Sequence, residues 1–383
     1  ADMMLINFFT NKDRCSDLAF NQGLELMNNH YLNSGYLDFK ILNVNSTLDD
    51  SKEKISIDIE ISEGIQYKLG KVSFQGELGN QTVESLNELL SIKNGDIFNR
   101  QSIVNDIQKI IDLYADLGYA FVDINPITQD LLDTVNVSIN ISLNRKVYVN
   151  RITISGNTRT QDEVIRREIG ISEGGLYSKS TLRNSVLKLR RLGYFSDIQT
   201  NISKVEDMPD KVDLSFVVEE TKTGTLSFSL SHSNKYGISV GAGIQEKNIF
   251  GSGNTLNAEF KTSESYKRLS FYFENPNFND ENHSISYGAF ISEIDDDDVM
   301  ENSYEIDTKG LNFGYGIPLQ ENSRLNTKLE YVTHKIKCGS GFSATGYEPS
   351  QCNNSNRDEV ILSVNLSENS LNDYLYPTEG KSN

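Results

Sequence analysis

The chain has 383 residues, enough for several domains, and carries a formal net charge of −18 at pH 7. That acidic balance excludes nucleic acid as a partner, which needs a basic footprint, and no apolar run approaches the roughly 18 residues of a transmembrane helix. Apolar residues make up only 37 %, yet 18 Tyr and 18 Phe argue against a disordered chain.

The first segment, ADMMLINFFTNKDRC, lacks the basic start, apolar core and small-residue cleavage site of a signal peptide. Cys15 stands alone before a helical stretch and reads as a small buried residue. Phe20, Leu24, Met27 and Tyr31 then form a helical stripe, SGY follows at 34–36, and KISIDIEIS at 54–62 alternates as a strand. This is the back half of a unit that the next segment presents whole.

In that second unit YKLGKVSFQ (67–75) has strand character and Gly76 ends it. Thr82 is placed to cap a short helix through Leu90, which the GD at 95–96 breaks. Asn99 caps a longer helix whose positions Ile103, Ile107, Ile110, Tyr114 and Leu117 make one buried stripe. Gly118 follows as a left-handed helix stop. Strand-like runs at 119–128 and 134–143 close the unit, the second alternating Val135, Val137, Ile139 and Ile141 with polar neighbours.

The third unit repeats the order β-α-α-β-β. Residues 151–155 form its strand, 156–157 a turn, and Thr160 with Glu163 a capping box. Leu182, Val186 and Leu189 stripe the second helix before Gly193, and VDLSFVVEE (212–220) is the closing strand. The phrase SGY at 34–36 thus returns as LGY at 117–119 and LGYF at 192–195. A period of roughly 80 residues suits a small domain in tandem, not a solenoid. Each unit reads as two helices on one face of a three-stranded sheet. Its sheet edges are either templates for another extended chain or simply solvated.

After residue 220 helical periodicity gives way to period two. Leu226, Phe228 and Leu230 alternate with Thr225, Ser227 and Ser229, and Ile238/Val240/Ala242/Ile244 repeat the pattern. Further runs are Leu256/Ala258/Phe260, Leu269/Phe271/Phe273, Ile285/Tyr287/Ala289/Ile291, Leu325/Thr327/Leu329/Tyr331 and Val360/Leu362/Val364/Leu366. One more, at 302–317, keeps Leu311/Phe313/Tyr315/Ile317 but breaks phase near Gly310, as a bulge would. Lys261, Glu259 and Lys328 fall on the polar phase. Long strands of this kind read as a transmembrane β-barrel, with a soluble β-sandwich as the alternative.

Chemistry-bearing motifs are sparse. His30, His232, His283 and His334 are scattered and none sits in a nucleophile motif, while no CxxC or Cys/His cluster suggests a metal. No catalytic residue and no cofactor are therefore expected. Cys338 and Cys352 bracket GSGFSATGYEPSQ, where they form either a disulfide worth roughly 3 kcal/mol or two unrelated thiols. The four acids at 295–298 lack EF-hand spacing and read as a solvated loop.

NRITISGNTRTQDEVIRREI (150–169), LRRLGYFSDI (189–198), KNIFGSGN (247–254), NPNF (275–278) and YPTEG (376–380) resemble the POTRA-plus-barrel family of outer-membrane β-barrel assembly factors. The resemblance covers nearly the whole chain. It implies α+β POTRA domains followed by the N-terminal half of an antiparallel transmembrane β-barrel. Residues 1–65 would be a partial third POTRA domain, 66–146 the fourth, 147–220 the fifth and 221–383 the half-barrel. The chain then reads as a fragment, since half a barrel leaves two bare edges in lipid.

The resemblance further implies a non-enzymatic factor of the Gram-negative outer membrane with its POTRA domains in the periplasm. Its partners would be the lipid bilayer, unfolded outer-membrane protein clients and lipoprotein subunits of an assembly complex. Arg166 and Glu173 match the positions that dock a lipoprotein. Gly224, Thr225, Leu226, Ser227, Phe228, Ser229 and Leu230 would form the strand at the lateral seam that templates client strands. The alternatives are a two-partner secretion transporter of the same superfamily, or a passive porin or receptor.

Overall fold

The computed structural model describes residues 17–48, 55–233, 237–279, 281–296, 304–320, 322–338, 355–371 and 377–382. Cys15, Cys352, Asp297 and Asp298 lie outside them, so the Cys338–Cys352 disulfide does too; of the four acids expected in a solvated loop, Asp295 and Asp296 instead end a strand. The chain divides into two compact units. One comprises Ala1–Val149, Gly174–Ser180 and Lys204–Val212, and the other Asn150–Glu173, Thr181–Ser203 and Asp213–Asn383.

Helix α1 (Asp17–Asn33) precedes an antiparallel pair, β1 (Lys40–Leu48) and β2 (Ile55–Ser62), matching the expected half unit. The complete unit follows as β3 (Lys68–Gly76), α2 (Val83–Glu88), α3 (Arg100–Asp116), β4 (Asp123–Leu131) and β5 (Thr134–Ser142). Its sheet order is β3-β5-β4, with β5 parallel to β3 and antiparallel to β4. The alternation of β5 explains its central place: Val135, Val137, Ile139 and Ile141 are all buried, under Leu86, Ile110 and Tyr114 of the two helices. Both expected caps are present. Thr82 and Ser85 form a reciprocal capping box, and Asn99 accepts from the Ser102 N–H. The short helix stops at Glu88, before the expected Leu90.

The next unit runs β6 (Tyr148–Ser155), α4 (Asp162–Arg166), α5 (Lys179–Leu192), β7 (Phe195–Val205) and β8 (Met208–Glu220), with sheet order β6-β8-β7. Here one expectation fails. Gln161, not Thr160, is the N-cap of α4, and no side chain caps it. Thr160 is instead buried, donating its N–H to Glu220 (2.7 Å) and accepting at Oγ1 from Asn248 Nδ2 (2.9 Å). A tertiary donor, the Asn248 side chain, has taken the hydroxyl that local capping rules assign to the helix.

From Gly224 onward the chain is one antiparallel meander: β9 (Gly224–Ser233), β10 (Gly237–Ile249), β11 (Asn254–Thr262), β12 (Tyr266–Asn275), β13 (Ser284–Asp296), β14 (Tyr304–Gln320), β15 (Ser323–Cys338) and β16 (Ser355–Glu368). Each strand pairs with the next in sequence, giving an eight-stranded sheet with β9 and β16 at its edges. Most of the apolar phase stays exposed, and Lys261–Glu259 (2.6 Å) and Lys328–Glu330 (2.5 Å) pair on the other phase. The bulge expected at Gly310 is absent: β13 and β14 keep one register from Ser284↔Gly316 to Asp296↔Tyr304. A Cβ at Gly310 would lie 2.2 Å from the Phe290 ring, which fills the space over it. The phase breaks in the sequence because β14 passes from apolar positions to charged ones such as Asp307 and Glu305, with no slip of the backbone.

Candidate functional site

The three copies of the GY phrase make three joints. In the first two, the glycine terminates a helix in the left-handed region, with the next N–H closing a wide turn: Tyr36 N–H reaches Tyr31 O and Tyr119 N–H reaches Tyr114 O, both 3.0 Å. The same glycine begins the following unit. Gly35 O accepts from Tyr67 N–H (2.8 Å) and Gly118 O from Val147 N–H (2.9 Å). A Cβ at Gly118 would stand 2.6 Å from Leu176 Cδ1, so the phrase needs glycine twice over, for its φ of +99° and for this close packing.

The third joint leads into the sheet. Tyr194 is buried and donates its hydroxyl to Lys247 O (3.0 Å) and Gly253 O (3.3 Å), either side of the β10–β11 turn. Burial pushes that hydroxyl up to about 12. Gln161 N–H bonds Gly251 O (2.9 Å), and Asn248 Oδ1 accepts from Gly253 N–H (2.7 Å). A Cβ at Gly251 would fall 1.9 Å from Arg159 O, so only glycine lets the turn approach this closely. Glu220, the last residue of β8, accepts from the N–H groups of Thr158, Arg159 and Thr160. Burial alone would raise its carboxyl, but the hydrogen bonds from Thr160, Thr158 and Arg159 win and hold it at about 2.

This clamp sets the base of the expected seam. β10 rises from the clamped turn and pairs with β9 from Gly224↔Glu246 to Ser233↔Gly237. Among the described residues β9 pairs with β10 alone. Leu226, Phe228 and Leu230 are 71 %, 81 % and 76 % exposed, and Thr225, Ser227 and Ser229 are exposed on the opposite phase. Gly224 sits at the clamped end, where Glu246 also bonds the Thr223 hydroxyl.

Arg166 and Glu173 meet at one residue of an edge strand. Glu173 Oε1 accepts from Ile152 N–H (2.8 Å), Arg166 Nη2 donates to Ile152 O (3.2 Å), and Arg166 Nε pairs with Asp162 (2.8 Å). They border a shallow cavity of about 220 Å³ with Ile169 and Ile171. Both side chains thus cap the backbone of β6, whose outer edge is satisfied there from within. Among the described residues no group of three His, Cys, Asp or Glu could hold a metal ion.

Sequence reasoning did not single out Tyr194, Glu220, Asn248 or Gly251 as joint residues. The signal available was KNIFGSGN, where two glycines in one turn mark close backbone approach.

Two family models match the chain. The POTRA model, described as a surface antigen variable number repeat, covers 67–144 and 147–221, and the Omp85 superfamily domain covers 248–383. The chain therefore carries two POTRA domains followed by an Omp85 superfamily domain. The outer membrane protein assembly factor BamA of Neisseria meningitidis serogroup B is 30 % identical over 332 residues, 85 % of this chain and 42 % of that protein. The chain therefore spans less than half the length of that relative. BamA from Haemophilus ducreyi lacking POTRA domains 1–3 shares the fold with a TM-score of 0.66 at 23 % identity, over 82 % of this chain and 62 % of that one. BamA POTRA3–5 of Haemophilus influenzae gives a TM-score of 0.50 at 25 % identity, over 57 % of this chain and 91 % of that structure.

Proposed function

We propose that the protein inserts β-barrel proteins into a Gram-negative outer membrane, without enzymatic chemistry. Residues 1–65, 66–146 and 147–220 act as the third to fifth POTRA domains in the periplasm, and 221–383 as the first half of the barrel. The observation that carries this reading is the order of the parts: three-stranded sheets with a strand at each edge, followed by a long antiparallel sheet whose apolar phase is mostly exposed. An unpaired edge offers main-chain donors and acceptors that bind any extended client regardless of sequence. The seven residues from Gly224 to Leu230 are lean on one face, Thr and Ser alone, which keeps pairing across the seam easy to part.

The apolar phase of β9–β16 faces the bilayer in this reading, and the POTRA edges receive clients by strand addition. At β6 that role falls outside Ile152, because Glu173 and Arg166 already occupy its N–H and C=O. Those two residues, partly exposed and of opposite charge, serve as the docking point of a lipoprotein subunit. Glu173→Lys abolishing copurification of such a subunit supports this; undiminished copurification overturns it.

Depletion of the full-length protein followed by an inventory of the outer membrane tests the main reading. General loss of barrel proteins is expected. Loss of one secreted protein alone would instead mark a two-partner secretion transporter, and an unchanged inventory a porin or receptor. Photocrosslinking from Phe228 locates the seam: client adducts are expected there, and none above background removes β9 from the mechanism.

A further inference from the structure

The GY phrase carries a third feature besides its glycine and its tyrosine. Two residues before the glycine stand Asn33, Asp116 and Arg191 in the three copies. All three are half-buried at the end of a helix, and each reaches across its joint. Asn33 Oδ1 accepts from Gln101 N–H (2.9 Å), in the first turn of α3. Asp116 Oδ1 accepts from Ser180 N–H (2.6 Å), in the first turn of α5, and from Ser178 Oγ (3.0 Å), just before it. In both cases the neighbour offers the unsatisfied N–H groups of a helix start, and the joint residue is an acceptor.

In the third copy the neighbour is a sheet that ends in turns, and turns offer carbonyls. The joint residue there is a donor with five N–H groups and no acceptor. Arg191 uses all three nitrogens: Nε to Leu371 O (2.5 Å), Nη1 to Asn322 Oδ1 (2.7 Å) and Nη2 to Ser370 O (3.3 Å). It thereby ties the β14–β15 turn to the segment after β16, while Tyr194 holds the β10–β11 turn.

We infer that the residue two before the joint glycine is the coupling residue of each domain, chosen to complement whatever follows, and that Arg191 is the positioning residue that registers the last POTRA domain against the barrel turns. An acidic residue at 191 would aim an acceptor at three other acceptors. An arginine at 116 would aim a cation at a helix start, where the dipole disfavours it. The rule concerns coupling between domains and holds independently of the assembly reading.

The test is hydrogen exchange on the full-length protein in lipid nanodiscs, comparing Arg191→Asp and Asp116→Arg. The reporters are the Asn369 amide, which bonds Asn322 O, and the Ser180 amide. Arg191→Asp is expected to speed exchange at Asn369 about tenfold, the equivalent of losing one charged hydrogen bond, and to leave Ser180 unchanged. Asp116→Arg is expected to do the reverse, and Arg191→Lys to restore most of the protection at Asn369. Unchanged exchange at Asn369 in Arg191→Asp overturns the proposal, as does equal loosening of both reporters by either variant. If Arg191→Asp fails to reach the membrane, Arg191→Gln keeps one donor and carries the same test, with about threefold faster exchange expected at Asn369.

Discussion

Strand β5 of the complete POTRA domain and strand β9 of the large sheet carry the same alternation, yet they treat it in opposite ways. Val135, Val137, Ile139 and Ile141 lie at 2 % exposure or less, while every apolar residue of β9 from Leu226 to Leu230 is at least 71 % exposed. The difference is what covers the sheet. Helices α2 and α3 supply Leu86, Ile110 and Tyr114 over β5, whereas among the described residues no helix follows β9. Period two reports that a sheet has two unlike faces; it does not report which medium meets the apolar one. In the POTRA domain that medium is protein, and for β9–β16 the proposed medium is lipid.

The comparison breaks most visibly at the POTRA core. Ile110→Ala removes a side chain with no exposure and is expected to cost about 2–5 kcal/mol, read as a lower urea midpoint by circular dichroism. A loss below about 1 kcal/mol would mean that the helices do not seal the sheet. On the large sheet the matching probe is Leu362→Arg, in the middle of β16. Refolding into bilayers should lose about 2–4 kcal/mol, while Ser363→Arg on the other face loses little. Equal costs on the two faces would remove the lipid from the comparison.

Smaller effects sharpen it. Gly118→Ala forces a left-handed φ on alanine and drives its Cβ against Leu176, for an expected loss of about 1–2 kcal/mol in domain stability. Tyr194→Phe keeps the packing but removes the hydroxyl proton that Lys247 O and Gly253 O share, a loss of about 1 kcal/mol that exchange at the β10–β11 turn would read. A further effect is a pH dependence. Glu220 titrates at about 2 in the folded chain against an ordinary 4.5. A lowered folded value adds stability that is full above the unfolded value and fades as pH falls from about 4.5 to about 2. Acid titration of the wild type should show this decline, and Glu220→Gln should flatten it.

Much of this was legible in residue order. The β-α-α-β-β units, the caps at Thr82 and Asn99, the helix stops at Gly118 and Gly193 and all eight strands of the sheet follow from spacing. Such signals act within one helical turn or one strand, so a window of ten or so residues contains them. The readings that failed crossed that limit. Thr160 looks like a helix cap locally, but its partner Asn248 is 88 positions away. Gly310 looks like a bulge, but the Phe290 ring on the next strand explains it.

Arg166 and Glu173 illustrate the same divide. Motif similarity picked them as charges, and the folded chain brought both to the two polar atoms of Ile152. The seam strand was legible as a strand; its register against β10, from Gly224↔Glu246 to Ser233↔Gly237, is a property of the folded sheet.

By itself, then, the sequence determined the elements, their repetition and the two-faced character of the sheet, because each rests on short-range periodicity and backbone preference. Only the tertiary structure decided what the repeated phrase is for. Arg191 finds its carbonyl partner 180 positions along the chain, and the identity of that partner, a carbonyl beyond the last strand and not a helix start, is what makes an arginine there fit where Asn33 and Asp116 fit their own joints.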